Sequence, residues 1–458
     1  MQTIVHGNQI IRTVIGKQRV RDTEYRLMKF LLEIEVEDGL LLQNVITGEL
    51  VLLTEAERHV LHQLPARYKD GLEALVYGYY LVPVDFDECL FVQGYRKILQ
   101  QLERNKVLPI TKYTIFPTTC CNAHCFYCFE SDYQKISMDS ETAEKVADFI
   151  RQNSDGQRVH ISWFGGEPTV AENRIDEICR LLTEQKVDFA SSMVSNGYLF
   201  TKEMVSKAVS EWHLQNIQIT LDGTEEVYNQ TKQYHSTDNA YQRVLNNIML
   251  ILEAGIHVSV LLNLDYHNFD DLFALVDELA ERFKNYSNLH IASHVLFNDE
   301  GYEKVHHTEE ESEELAKRNH LLADYVKNTG LKGNVLGSAE RGGTLPKLRY
   351  LYCRVNDSGA VVIGPNGCLY KCEHIDHRLT SPACLDHPVF DEQEMEQWFQ
   401  PAEGKQCKAC RLYPECFVPT GCSNHAKCYP VDAERRIEAF KAIAETVYHS
   451  KIVGKGMN

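Results

Sequence analysis

Residues 112–128 read KYTIFPTTCCNAHCFYC, and this stretch decides how the rest of the chain is parsed. Its first half, rich in aromatic and β-branched residues, predicts a short strand that Pro117 stops because proline cannot donate to a ladder. Its second half places Cys121, Cys125 and Cys128 at C-x3-C-x2-C spacing, in a loop directly after that strand. Working outward, further short apolar runs follow: VHISWFGG (159–166), VDFASSMVSN (187–196), NIQITLD (216–222), HVSVLLNL (257–264) and NLHIASHVL (288–296). Amphipathic helical stretches such as SETAEKVADFIRQN lie between most of them. Alternating strands and helices predict a parallel sheet with right-handed crossovers. Six such units fit an α/β fold, a partial (β/α)6 barrel, with chemistry at the C-terminal ends of the strands.

The flanks differ from this middle part, which we take as residues 106–335. Residues 1–105 carry two apolar stretches around Glu37-Asp38-Gly39, a hairpin turn signal, and then Thr54-Glu55-Ala56-Glu57, a capping box that opens a helix. The expectation is a small winged-helix-like α+β module. Residues 336–430 are rich in Cys, Gly and Pro with little helical period, so metal must replace part of the missing core. Residues 431–458 hold a closing helix, expected at about 431–449. The acidic run Glu309–Glu314 after Thr308 reads as the capped first turn of a helix.

The chain has 458 residues and a net charge of −18, which argues against nucleic acid or an anionic membrane surface as partner. Residues 1–17 lack the apolar core of a signal peptide and no run has the length of a membrane span, so the expected location is the cytoplasm. There thiols stay reduced, and 15 cysteines gathered at 120–128 and 353–428 read as metal ligands rather than disulfides. Cys179 shares a helix face with Ile175, Ile178 and Leu182 and is expected in the core.

Three thiolates on one tight loop can hold three irons of a four-iron cluster and leave the fourth iron open to a chelating cosubstrate. Zinc, the alternative, takes four ligands in closed sites, and no second cysteine pair lies near the first knot. The motif resembles that of the radical S-adenosylmethionine (SAM) superfamily, with Tyr127 at the aromatic position before the third cysteine. Later strand ends extend the resemblance: Gly165-Gly166-Glu167-Pro168, Ser195-Asn196-Gly197, Thr220-Leu221-Asp222-Gly223 and Asn263. By that resemblance Tyr127, Gly165, Gly166, Glu167, Ser195, Asn196, Thr220, Asp222 and Asn263 bind SAM. Glu167 would accept from the amino group, and two glycines would let a ligand approach the backbone. Leu261 stands where the family more often has Arg, which leaves the partner of the SAM carboxylate open. The implied chemistry is reductive cleavage of SAM to a 5′-deoxyadenosyl radical that abstracts hydrogen from a substrate.

The second cysteine group runs Cys353-x13-Gly367-x4-Cys372, then Cys407-x2-Cys410-x5-Cys416-x5-Cys422 and Cys428. It resembles the SPASM domain of radical SAM peptide maturases, apart from five residues between Cys416 and Cys422 where the family has three. The resemblance implies two auxiliary [4Fe-4S] clusters, three in all. Cys407, Cys410, Cys416 and Cys428 would hold one. Cys353, Cys372 and Cys422 would hold the other, with Cys368 as fourth ligand or with an open position. One or two structural zinc ions are the alternative. Glu373 stands where the sulfatase-maturing branch has a carboxylate proposed to accept the substrate proton; a solvated Glu at a hairpin end is the alternative.

Residues 1–105 look like the leader-binding elements of peptide maturases, which capture a peptide as an added strand. Residues 1–30 carry six Lys or Arg (Arg12, Lys17, Arg19, Arg21, Arg26, Lys29) against Asp22 and Glu24, which suits an acidic leader; a plain solvated basic face is the alternative. The reading that results is a radical SAM maturase of a ribosomally made peptide, forming a thioether or a C–C or C–O crosslink, with a flavodoxin- or ferredoxin-type electron donor. An anaerobic sulfatase-maturing enzyme, a peptide epimerase and a zinc-stabilised binding protein are the alternatives.

Overall fold

The structure is a computed structural model of the chain, and it describes residues 1–67, 71–106, 108–235, 239–296, 307–331, 333–334, 344–375, 378–404, 406–420, 422 and 430–452. The N-terminal part runs β1 (Gln2–Val5), α1 (Gln9–Ile15), β2 (Glu24–Leu27), β3 (Leu31–Val36), β4 (Gly39–Asn44), β5 (Leu50–Leu52), α2 (Glu55–Leu61), β6 (Ala66–Arg67), α3 (Glu73–Tyr77), β7 (Leu81–Pro83) and α4 (Glu88–Arg104). The Asp-Gly hairpin forms as expected, with Val36 opposite Gly39, and Thr54 and Glu57 cap α2 reciprocally. Two small sheets result, in the orders β1-β5-β4-β3 and β6-β2-β7.

The middle part alternates β8 (Lys112–Ile115), α5 (Ser140–Asn153), β9 (Val159–Trp163), α6 (Glu172–Glu184), β10 (Phe189–Ser195), α7 (Lys202–Ser210) and β11 (Leu214–Thr220). It continues with α8 (Glu225–Lys232), α9 (Ala240–Glu253), β12 (His257–Leu264), α10 (Phe269–Phe283), β13 (Leu289–Val295) and α11 (Glu309–Asn328), the last capped by Thr308 and Glu311. Strands β8 to β13 pair in parallel and in sequence order, as the alternation predicts. Their residues alternate in burial. In β12, Val258, Val260, Leu262 and Leu264 are buried against the helices, while Ser259, Leu261 and Asn263 face the half-open inner side. Each fully buried side chain of this kind contributes about 1.5–3 kcal/mol. Leu262→Ala, at a fully buried position, is expected to cost roughly 2–5 kcal/mol.

The sheet is longer than the alternation predicts. Among the described residues it contains nine strands, because β14 (Gly333–Asn334) adds beyond β13, and β15 (Ala360–Ile363) with β16 (Leu369–Tyr370) adds beyond β8. Strand β15 runs parallel to β8, with Ala360 opposite Lys112 and Ile363 opposite Ile115. The cysteine-rich segment is thereby built onto the edge of the sheet that carries the first cysteine loop. Helix α12 (Glu392–Gln397) and the long α13 (Pro430–Ile452) complete the chain. Helix α13 lies on β3; Tyr448 bonds Asp38 and Lys451 Nζ donates to the Ile4 carbonyl at 3.1 Å. Leu412, Tyr413, Phe440 and Tyr448 share one core with the N-terminal strands. No helix among the described residues is long and apolar enough to cross a membrane.

Candidate active site

The loop after β8 is pinned at both ends. Thr119 donates through its hydroxyl to the Gln134 carbonyl at 2.7 Å and through its N–H to Ile136 at 2.9 Å, and His124 N–H donates to the Lys232 carbonyl at 2.9 Å. Between these anchors lie Cys121, Cys125 and Cys128, half-buried and without disulfides. Among the described residues no three His, Cys, Asp or Glu side chains converge on a single ion. The three thiols are nevertheless neighbours. Burial first, then a nearby carboxylate (Glu167 and Glu130 respectively) and after it the neighbouring cysteines, pushes Cys121 up to about 12 and Cys128 up to about 11. Buried thiols of this kind ionise only where metal charge offsets their desolvation. Three thiols on one loop suit a cluster of several irons. Asn122 Nδ2, buried and without a partner, marks a donor at this loop that still lacks its acceptor.

The turn after β9 packs under that loop. Gly165 has φ +121°, and a Cβ there would meet the Thr118 carbonyl at 2.3 Å; one on Gly166 would meet the Cys120 carbonyl at 2.4 Å. The glycines therefore admit the chain's own cysteine loop, not only a ligand: Gly166 N–H donates to Thr118 at 3.2 Å and Glu167 N–H to Cys120 at 2.9 Å.

Glu167 is buried, and its carboxylate ties the turn after β9 to the end of β10. Its Oε1 accepts from Thr169 N–H at 3.1 Å, from the Thr169 hydroxyl at 2.5 Å and from the Ser195 hydroxyl at 2.9 Å; its Oε2 accepts from Asn196 N–H at 2.7 Å. Burial pushes its pKa up against these bonds. Oε2 retains a lone pair for one more donor, such as an ammonium. Asn196 Nδ2 in turn donates to Asn122 Oδ1 at 2.7 Å, beside Cys121. At the next strand end Tyr127, Asp222 and Lys232 form a buried triad: Lys232 Nζ lies 3.0 Å from Asp222 and donates to the Tyr127 hydroxyl at 2.8 Å. Burial alone would lower the Lys232 pKa; Asp222, then Cys125 and Tyr127, hold it well above the ordinary lysine value. Thr220 and Asn263 sit on the inner face at the ends of β11 and β12, and Asn268 Nδ2 ties these ends by donating to the carbonyls of Asp222 at 2.8 Å and Asn263 at 2.7 Å. Asn122, Lys232 and Asn268 were not among the sequence candidates; none belongs to a spacing pattern, so nothing short of the fold points to them.

Residues 115–279 match the sequence model of the Radical SAM superfamily. This segment is a radical SAM domain. It holds the first cysteine loop and every strand end described above. No curated protein matches the chain. Among solved structures it is similar in fold to SuiB of Streptococcus suis bound to S-adenosylmethionine, at 17% identity and TM-score 0.51, covering 86% of this chain and 94% of that one. It is also similar to anSMEcpe with bound AdoMet and Cp18Cys peptide, at 15% identity and TM-score 0.54, covering 76% of this chain and 100% of that one.

Beside the radical SAM domain the second cysteine group divides in two. Cys353, Cys372 and Cys422 lie within reach of one another's charge, which adds to burial in raising the Cys372 thiol to about 12. Cys407 and Cys410 sit on a loop whose backbone already donates to sulfur, Gly404 N–H to Cys407 at 3.2 Å and Leu412 N–H to Cys410 at 3.4 Å; Cys416 follows on the same loop. Cys428 lies outside the described residues. Cys368, directly before β16, is opposite Cys384 across an isolated antiparallel bridge. Glu373 is paired with Arg354 at 3.0 Å, and Arg354 also bonds Thr114 on β8. Cys179 lies in the barrel core, as expected.

Of the six N-terminal cations, Arg12 is paired with Glu49 at 2.9 Å, while Arg26 at 2.6 Å and Lys29 at 3.9 Å share Glu88. Lys17, Arg19 and Arg21 remain exposed, with no ion pair among the described residues.

Proposed function

We propose that this chain is a radical SAM maturase that modifies a ribosomally made peptide in the cytoplasm, forming an intrapeptide thioether or a C–C or C–O crosslink. The observation that carries the reading is the convergence at one sheet end of the Cys121/Cys125/Cys128 loop with Glu167, Ser195, Asn196 and Asp222, beside a second cysteine group docked on the same edge through β15. The peptide substrate is supported by fold likeness over most of the chain to anSMEcpe, whose structure holds the Cp18Cys peptide.

In this reading Cys121, Cys125 and Cys128 hold a [4Fe-4S] cluster and leave one iron to SAM. When bound, the pair supplies a 5′-deoxyadenosyl radical from one electron of an external flavodoxin- or ferredoxin-type donor. The protein's own part is placement. Glu167 keeps one acceptor position for the SAM amino group while its other bonds lock the ends of β9 and β10. Tyr127 is held by Asp222 and Lys232, so it cannot swing. The glycines at 165 and 166 keep the cysteine loop pressed to the sheet, and the inner face at Thr220 and Asn263 borders the reaction space. Cys407, Cys410 and Cys416 with Cys428 would hold one auxiliary cluster. Cys353, Cys372 and Cys422 would hold the other with an open position. Glu373, paired with Arg354, would take a proton near that open position. Residues 1–105 would bind the leader, with Lys17, Arg19 and Arg21 as the charges that attract it.

The test is anaerobic turnover with SAM, a reductant and short peptides encoded beside the gene. Loss of two hydrogens mapped to a crosslink is expected. Formylglycine in a sulfatase-derived peptide would favour the sulfatase-maturing alternative, and unchanged mass with 5′-deoxyadenosine would favour an epimerase. No 5′-deoxyadenosine with any peptide would overturn the reading.

A further inference from the structure

Arg96 projects from α4 of the N-terminal part and is 2% exposed. Its guanidinium is committed to carbonyl oxygens of two distant segments. Nε donates to Arg349 at 3.0 Å; Nη2 donates to Tyr413 at 3.0 Å, Pro414 at 3.3 Å and Cys416 at 3.0 Å. The rings of Tyr413 and Phe417 lie 5.3 and 5.4 Å from it. Among the described residues no carboxylate forms an ion pair with Arg96. Glu415, in the middle of the turn that Arg96 holds, is taken by Arg349 at 2.6 Å and by Arg436. Glu403 is the carboxylate whose charge reaches Arg96, but it forms no ion pair with it; it accepts from the Tyr413 hydroxyl at 2.5 Å and from Gln93 at 3.3 Å, and it is exposed, so solvent weakens its hold.

Burying a guanidinium without a counter-ion is costly, and in folded proteins buried charges are paired or answer a bound group. What this cation faces is the loop of Cys407, Cys410 and Cys416, which carries no carboxylate that is not already engaged elsewhere. An iron–sulfur cluster bound by thiolates is net negative and becomes more so on reduction. Charge and hydrogen bonding around it are what set its potential.

We propose that Arg96 is the built-in counter-charge of the auxiliary cluster held by this loop. It positions the 413–416 turn through its carbonyls and raises the cluster's reduction potential by favouring the more negative reduced state. The assignment rests on the auxiliary-cluster reading above and adds to it that the N-terminal part completes the electron-handling site. Arg96 is a positioning residue, since it acts on the cluster and not on substrate.

The experiment uses the holoenzyme purified anaerobically, with Arg96→Gln and Arg96→Lys. Iron and sulfide are counted, and each cluster's potential is followed by electron paramagnetic resonance during reductive titration. The radical SAM cluster is recognised as the signal that SAM perturbs. In Arg96→Gln one auxiliary signal is expected to move to lower potential, with the radical SAM signal in place and Arg96→Lys close to the parent. If Arg96→Gln loses iron, retention of that iron by Arg96→Lys supports the charge role, and equal loss in both overturns it. Unchanged potentials with full iron in Arg96→Gln, or equal shifts in both variants, also overturn it. A parent protein that binds only four irons removes the auxiliary clusters themselves, a result distinct from any of these.

Discussion

Tyr127 donates its hydroxyl to both carboxylate oxygens of Asp222, at 2.9 and 2.8 Å, and so links the cysteine loop after β8 to the end of β11. Lys232 closes the triad from the end of α8. Because the side chains of Lys232 and Asp222 are only 4% and 1% exposed, the pair is a buried ion pair, whose halves cannot be removed one at a time without stranding a charge. Asp222→Asn is expected to destabilise the domain by about 3–5 kcal/mol. The double variant Asp222→Asn/Lys232→Met should recover most of that loss, because it leaves no unpaired charge. Denaturant unfolding of the single and double variants checks the cycle; additive losses would show that the two groups do not act as a pair.

Gly166 bears on the cysteine loop through its missing side chain. The Cβ of Gly166→Ala would lie 2.4 Å from the Cys120 carbonyl and 2.6 Å from the Thr119 carbonyl, both backbone atoms, so the loop must move. The expected cost is roughly 1–3 kcal/mol of stability. The more telling readout is iron: the first cluster should be lost while the far-ultraviolet circular dichroism stays that of the parent.

The second cysteine group gives a contrast. Cys353→Ser and Cys372→Ser should each lower the iron content by one cluster. Cys368→Ser should not, since Cys368 faces Cys384 across its bridge. Iron counts after anaerobic purification decide the matter, and a deficit in Cys368→Ser equal to the others would make it a ligand.

His294, near the end of β13, supplies a pH dependence. Burial lowers its pKa below the usual 6.5. Above about pH 6.5 both folded and unfolded chains hold it neutral, and it adds no slope. As the pH falls below about 6.5, the unfolded chain takes up the proton first. Stability is then lost at up to about 1.4 kcal/mol per pH unit until the folded pKa is reached. In His294→Gln that part of the acid slope should disappear, which denaturant midpoints between about pH 5 and 8 measure.

Much of the site was legible along the chain because its parts are local. The spacing of Cys121, Cys125 and Cys128, the Gly165–Pro168 turn, Ser195-Asn196 and Asp222 each belong to one strand end, and hydrophobic period places those strands. The partners that hold these residues lie elsewhere. Nothing near Lys232 in sequence announces that it closes on Tyr127 and Asp222. Glu167 looked like a ligand group with free oxygens, but in the fold four hydrogen bonds from Thr169, Ser195 and Asn196 fill most of its capacity.

The cysteine-rich segment teaches the same lesson at longer range. Its composition is what suggests a metal-binding segment, but its attachment to β8 through β15, and its grip by Arg96 from a helix some 320 residues earlier, are products of packing. By itself the sequence determined the order of strands and helices, the donor atoms and the end of the sheet where they gather, because periodicity and spacing are properties of short segments. Only the tertiary structure decided which buried charges meet, since a lysine, an arginine or a glutamate takes its electrostatic role from the atoms that replace water around it.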